Sequence, residues 1–80
     1  MATLLISTAV GPADPTRASI PFHIATNGCG PAQVDCGLVL MGDATELVKP
    51  GVADGVRGVG VPPLKDLFAG CIEKGYAFYI

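Results

Sequence analysis

Tryptophan is absent from this chain, and charge is scarce: 15% of the residues are charged, against 50% hydrophobic. Disorder needs low hydrophobicity and strong self-repulsion, and this composition offers neither. The basic residues are also few and scattered. Arg17, Lys49, Arg57, Lys65 and Lys74 form no run, and the net charge is −2. Nucleic acid is therefore not an expected partner, because binding it requires a concentrated basic surface. No apolar stretch approaches the ~20 residues a membrane span requires, so no membrane is expected either. Met1, Ala2 and Thr3 place no basic residue ahead of the short apolar segment that follows, which argues against a secretory signal. A cytoplasmic location is the expectation. Three cysteines are an odd count for a disulfide framework, and their spacing matches no metal motif. Reduced thiols in a reducing compartment follow. No motif calls for a cofactor.

What is present is a short, apolar chain of 80 residues. That length makes one domain, 1–80, without internal repeat. A chain of this size buries only roughly 60% of the surface its unfolded form exposes. Some apolar surface should stay outside the core, and self-association is the natural way to cover it.

The pattern alternates strand and helix. Residues 3–10, rich in apolar and β-branched side chains, read as a first strand, broken by Gly11, Pro12 and Ala13. Asp14 followed by Pro15 reads as an N-cap and first helical residue, opening a helix to about Asn27 with Gly28 as its stop. Pro21 inside that helix predicts a kink or a broken turn. Residues 35–42 read as a second strand covered on both faces. Asp43 and Glu46 have capping-box spacing ahead of a short helix over 44–49. Residues 52–61, with glycines at 55, 58 and 60, read as a mobile loop. Pro62 and Pro63 then suit the first turn of a helix whose apolar stripe is Leu64, Leu67, Phe68, Cys71 and Ile72. Lys74 suits the negative end of that helix, and Gly75 is its left-handed stop. Residues 76–80 read as a third strand covered on both faces.

Strand, helix, strand, helix, strand implies an α/β fold with a parallel sheet and right-handed crossovers. The order 2-1-3 would place helices on both faces. It would also open a crevice where the first and third strands end. Gly11, Pro12, Asp14, Thr16, Arg17 and Asp43 are the candidate ligand-binding residues there: a helix amino terminus can hold an anion, although Asp14 competes for the cap. Asp43 has capping as its plainer role. Cys36 and Cys71 read as core. Cys29, in a glycine-flanked connector, is the thiol best placed to be exposed and to react. His23 with three cysteines has the wrong spacing for zinc. Gly58-Val59-Gly60 is a weak match to a phosphate loop, since it follows no strand directly. No residue is assigned a catalytic role on this reading.

Several stretches carry a family likeness. Thr16-Arg17-Ala18-Ser19-Ile20-Pro21-Phe22-His23-Ile24-Ala25 resembles the first helix of the DsrE/DsrF-like family, small sulfur-relay and related proteins. The strand ending Gly42-Asp43-Ala44 is similar too, as is Gly58-Val59-Gly60-Val61-Pro62-Pro63-Leu64-Lys65-Asp66-Leu67. Tyr76-Ala77-Phe78-Tyr79-Ile80 resembles the strand that carries the family's cysteine at its end. The likeness implies a flavodoxin-like sheet, assembly into trimers or hexamers, and sulfur transfer through a cysteine persulfide to a sulfur-carrier partner. It places the family cysteine just after Ile80, with two further strands and their helices beyond, so this domain is expected to be incomplete at its carboxyl end. No family catalytic residue falls on a position of this chain. The other reading is a non-catalytic oligomeric module that binds a small molecule or anion.

Overall fold

The computed structural model describes residues 3–80; the amino-terminal reading made on Met1 and Ala2 lies outside them. The chain forms β1 (Thr3–Thr8), α1 (Pro15–His23), α2 (Gly30–Ala32), β2 (Asp35–Leu40), α3 (Leu64–Glu73) and β3 (Ala77–Tyr79). A π-helical segment, Ile24–Cys29, links α1 to α2. Two 3-10 segments, Gly42–Val48 and Ala53–Gly55, lie between β2 and α3. The strands are all parallel, as the alternation of elements predicts.

Their order is β1-β2-β3, not 2-1-3. β1 pairs with β2 from Thr3↔Asp35 to Thr8↔Leu40, and β2 pairs with β3 from Gly37↔Ala77 to Val39↔Tyr79. The centre goes to Asp-Cys-Gly-Leu-Val-Leu, which has one polar residue where β1 has three and so tolerates cover better than β1. Two right-handed crossovers running the same way across a sheet put both helices on one face. That is the second correction: among the described residues, α1 and α3 lie together on one side. Phe22 of α1, Phe68 of α3 and Phe78 of β3 meet there, with centroids 4.7, 5.6 and 5.9 Å apart.

Alternation along the strands then sorts the side chains. Cys36, Leu38 and Leu40 point to the helices and are buried, beside the partly buried Ile6 and Phe78. Leu5 and Tyr79 point the other way and are 63% and 55% exposed. Both lie over Gly37, where a Cβ would sit 2.9 Å from Leu5 and 3.2 Å from Tyr79. β3 is thus half open, not covered on both faces.

Local structure departs from expectation at several points. The first helix does not stop at Gly28. It runs on through the π segment and α2, and the left-handed residue is Gln33, φ 58°. Pro31 explains the widened turn: in an α register it would withhold its donor from the Asn27 carbonyl and crowd it. Pro21 breaks nothing. It sits inside α1 with its ring buried, and that burial offsets the lost bond. Asp43 forms no capping box, because Met41 is the N-cap and makes no side-chain bond. Glu46 pairs instead with Lys49, 2.8 Å away, while Thr45 Oγ1 donates to the Gly42 carbonyl. The 52–61 stretch is anchored by the buried Val56, whose carbonyl accepts from Leu64 N. α3 starts at Leu64, so Pro63 is its N-cap and Pro62 lies before it, not in the first turn as expected, whereas Gly75 follows its end at φ 73°, as its sequence predicts. Ile72 falls outside the buried stripe at 71% exposed, because only three residues of β3 underlie that end of the helix.

Phe22→Ala should cost about 3–5 kcal/mol, read as a lowered urea midpoint, because it empties the place where both helices meet the sheet. Leu5→Ser on the open face should change stability by no more than about 0.5 kcal/mol. Equal losses at the two sites would show that the open face is covered.

Candidate functional site

The carboxyl ends of the strands form the rim at which ligands usually gather in such sheets. Here the chain fills much of that rim itself. Asp14 N–H donates to the Gly11 carbonyl at 3.2 Å, closing the turn after β1. A side chain on Gly11 would meet the Asp43 carbonyl at 2.6 Å, so only glycine lets the two exit loops approach. Asp14 caps α1: its carboxylate accepts from Arg17 N at 3.1 Å and faces Arg17 Nε at 3.7 Å. Thr16 Oγ1 accepts from Val59 N at 3.0 Å, holding the Gly58-Val59-Gly60 loop against the helix start.

The rim residues therefore fall into pairs: Gly11 with Asp43, Asp14 with Arg17, and Thr16 with the 58–60 loop. Pro12 stands exposed apart from them. A carboxylate already occupies the amino terminus of α1, so an anion there would meet charge of its own sign. His23 lies on α1, with its Nδ1 3.0 Å from the Asn27 side-chain amide nitrogen. Among the described residues no group of three or more histidines, cysteines or carboxylates is placed to hold a metal ion, and no helix is long and apolar enough to cross a membrane.

Two cavities lie elsewhere. The larger, about 390 Å³, opens at the amino ends of β1 and β2, opposite the rim, and is lined by Thr3, Leu4, Ile24, Gly28, Cys29 and Val34. The smaller, about 270 Å³, lies beside β3, between Leu47, Val48, Lys49, Phe68, Ile72 and Phe78.

The thiols hold the larger surprise. Cys29, expected to be exposed, is buried at 4%, because the helix continues past Gly28 and carries it inward. Cys36 and Cys71 are buried as predicted. All three belong to one core cluster with Tyr76 packed against it. Burial pushes the Cys36 thiol up to about 12 from its ordinary 9.0, and the neighbouring Cys29 adds to this through charge and hydrogen bonding. Burial also raises Cys71, although Thr26 and Lys74 act to lower it. Tyr76 is raised by burial and then by the three cysteines around it.

Thr26 is a residue that sequence reasoning missed. Its hydroxyl donates to the Leu67 carbonyl at 3.1 Å and lies 3.2 Å from Cys71 Sγ. Gly70 leaves room for it, since a Cβ there would sit 2.6 Å from the Thr26 methyl. Only the pairing of Thr26 with a glycine on the facing helix could have pointed to this contact.

Two measurements follow. Native alkylation of Cys29, Cys36 and Cys71 should be slow and should become fast on unfolding, because all three thiols are buried out of a reagent's reach. The folded chain holds the Cys36 proton more tightly than the unfolded chain does. Its contribution to stability is therefore complete below pH 9.0 and is lost as pH rises toward about 12. Urea midpoints taken across that window should fall less steeply in Cys36→Ala than in the parent. No protein-family model, no curated protein and no solved structure matches this chain.

Proposed function

We propose that this chain is a DsrE-like α/β unit serving intracellular sulfur transfer, with the sulfur carried as a persulfide on a cysteine just beyond Ile80. The observation that carries this reading is the way the segments bearing the likeness pack on one another. Thr16 holds Val59 by a hydrogen bond, and the Phe22 and Phe78 rings lie with their centroids 5.9 Å apart. Pieces similar to one family in sequence are thus also partners in space. The parallel register supports the rest, because β3 ends beside the exits of β1 and β2. A thiol placed there would stand at the rim, clear of the core that holds Cys29, Cys36 and Cys71.

In this reading further strands extend the parallel sheet and their helices cover its open face; the order β1-β2-β3 departs from the flavodoxin-like order that the likeness implies. The protein assembles as a cytoplasmic trimer or hexamer and hands sulfur to a carrier protein. Burial of the three thiols of this chain supports assigning the reaction to a different one.

A second reading, a non-catalytic oligomeric binding module, draws on the cavity of about 390 Å³. Its apolar lining favours a small apolar molecule over an anion.

The test compares the 80-residue chain with a form that continues beyond Ile80 into a cysteine, both treated with polysulfide. Cold cyanolysis should find stoichiometric sulfane sulfur in the longer form and close to none in the shorter. Stoichiometric loading of the 80-residue chain would overturn the sulfur-relay reading as stated. A thermal-shift response to small apolar molecules, without sulfur loading of either form, would favour the second.

A further inference from the structure

The buried thiols are not equivalent, and their differences suggest a role apart from sulfur transfer. Cys29 ends the π segment and lines the larger cavity, and its carbonyl accepts from Val34 N at 3.0 Å. That bond folds the end of the helix back onto the entry to β2, two residues before Cys36. Cys36 faces the helices from the second position of β2, within the same core cluster as Cys29. Cys71 is engaged elsewhere, by Thr26 at 3.2 Å. No third ligand joins the thiols into a metal site among the described residues.

We propose that Cys29 and Cys36 form an oxidisable pair, which a small peroxide entering by the adjoining cavity converts to an intramolecular disulfide tying the π segment to β2. The Cys29 sulfur attacks one peroxide oxygen, the O–O bond breaks, and water leaves with the Cys29 proton, giving a sulfenic acid. The Cys36 sulfur then displaces the hydroxyl group, which leaves as a second water carrying the Cys36 proton. Two thiols are oxidised by two electrons in all, and one peroxide is reduced to water. The tight turn through Gln33 keeps the two cysteines near each other, so the closed loop is short and its entropy cost small. Burial pushes the Cys36 thiol up, so its displacement of the hydroxyl group is slow at neutral pH and quickens as pH rises.

The experiment treats the 80-residue chain with hydrogen peroxide, unfolds it, alkylates it and measures its mass before and after digestion with trypsin. One of the three thiols should take the alkyl group, and the peptide spanning residues 18–57 should be lighter by two hydrogens. The peptide spanning residues 66–74, which holds Cys71, should be alkylated. A reductant should restore all three sites. Cys71→Ala should keep the bridge and Cys36→Ala should lose it; the parent's peptide map decides the matter if either variant fails to fold. Alkylation of all three thiols, a bridge to Cys71, or only disulfides between chains would overturn the proposal. The outcome is independent of the sulfur-relay reading, because cyanolysis detects sulfane sulfur and not a disulfide.

Discussion

The contact of Phe22 with Phe68 and Phe78 is the constraint on which the rest of this molecule depends. It brings α1, α3 and the edge strand β3 to a single point over the central strand. β3 offers only three residues to the sheet, too few to hold itself in place by backbone bonds alone. Its hold comes from Phe78, which fills the row Ile6–Leu38–Phe78 on the helix side. The edge-to-face geometry of these rings adds to the area they bury. Because both helices use this one contact, both must lie on the same face. The open face of the sheet is therefore a consequence of how the core is closed.

That consequence marks the division between what was legible in the residues and what was not. The parallel α/β character was legible, because each periodic segment changes from one repeat to the other at a clear break. The stop at Gly75 was legible for a local reason: nothing but the backbone of that turn decides it. Burial of Cys36 and Cys71 followed from their places in apolar patterns. Strand order was harder to read, since all three strands look apolar. The informative difference was the polar content of β1, with Thr3, Ser7 and Thr8, against its near absence from β2. An edge strand tolerates such residues better than a central one.

The misreadings at the candidate site share a physical cause. Gly28 could have ended the first helix, but a glycine permits a left-handed turn without requiring one. What decided the matter lay further on, where Pro31 opens the register and Gln33 takes the turn. Moving the stop by a few residues moved Cys29 from an exposed connector into the core. Asp43 and Glu46 had the right spacing for a capping box, but that motif presupposes an α-helical first turn. A 3-10 segment follows instead, and Glu46 pairs with Lys49. In each case a local signal was genuine, and a neighbouring residue outweighed it.

The rim shows how this packing limits chemistry. In many parallel sheets the amino terminus of the first helix is left free, and its N–H groups receive a ligand. Here Asp14 supplies the acceptor for Arg17 N, and Thr16 Oγ1 takes the N–H of Val59. Gly11 brings the β2 exit loop so close that little space remains above the strand ends. The rim is thus closed by contacts within the chain rather than left as a pocket for an anion. A reactive group presented there would be held against a stiff surface and would face solvent, while the three thiols of the chain lie buried in the core. The proposed sulfur transfer at the rim and the proposed oxidation within the core would therefore not compete for the same thiol.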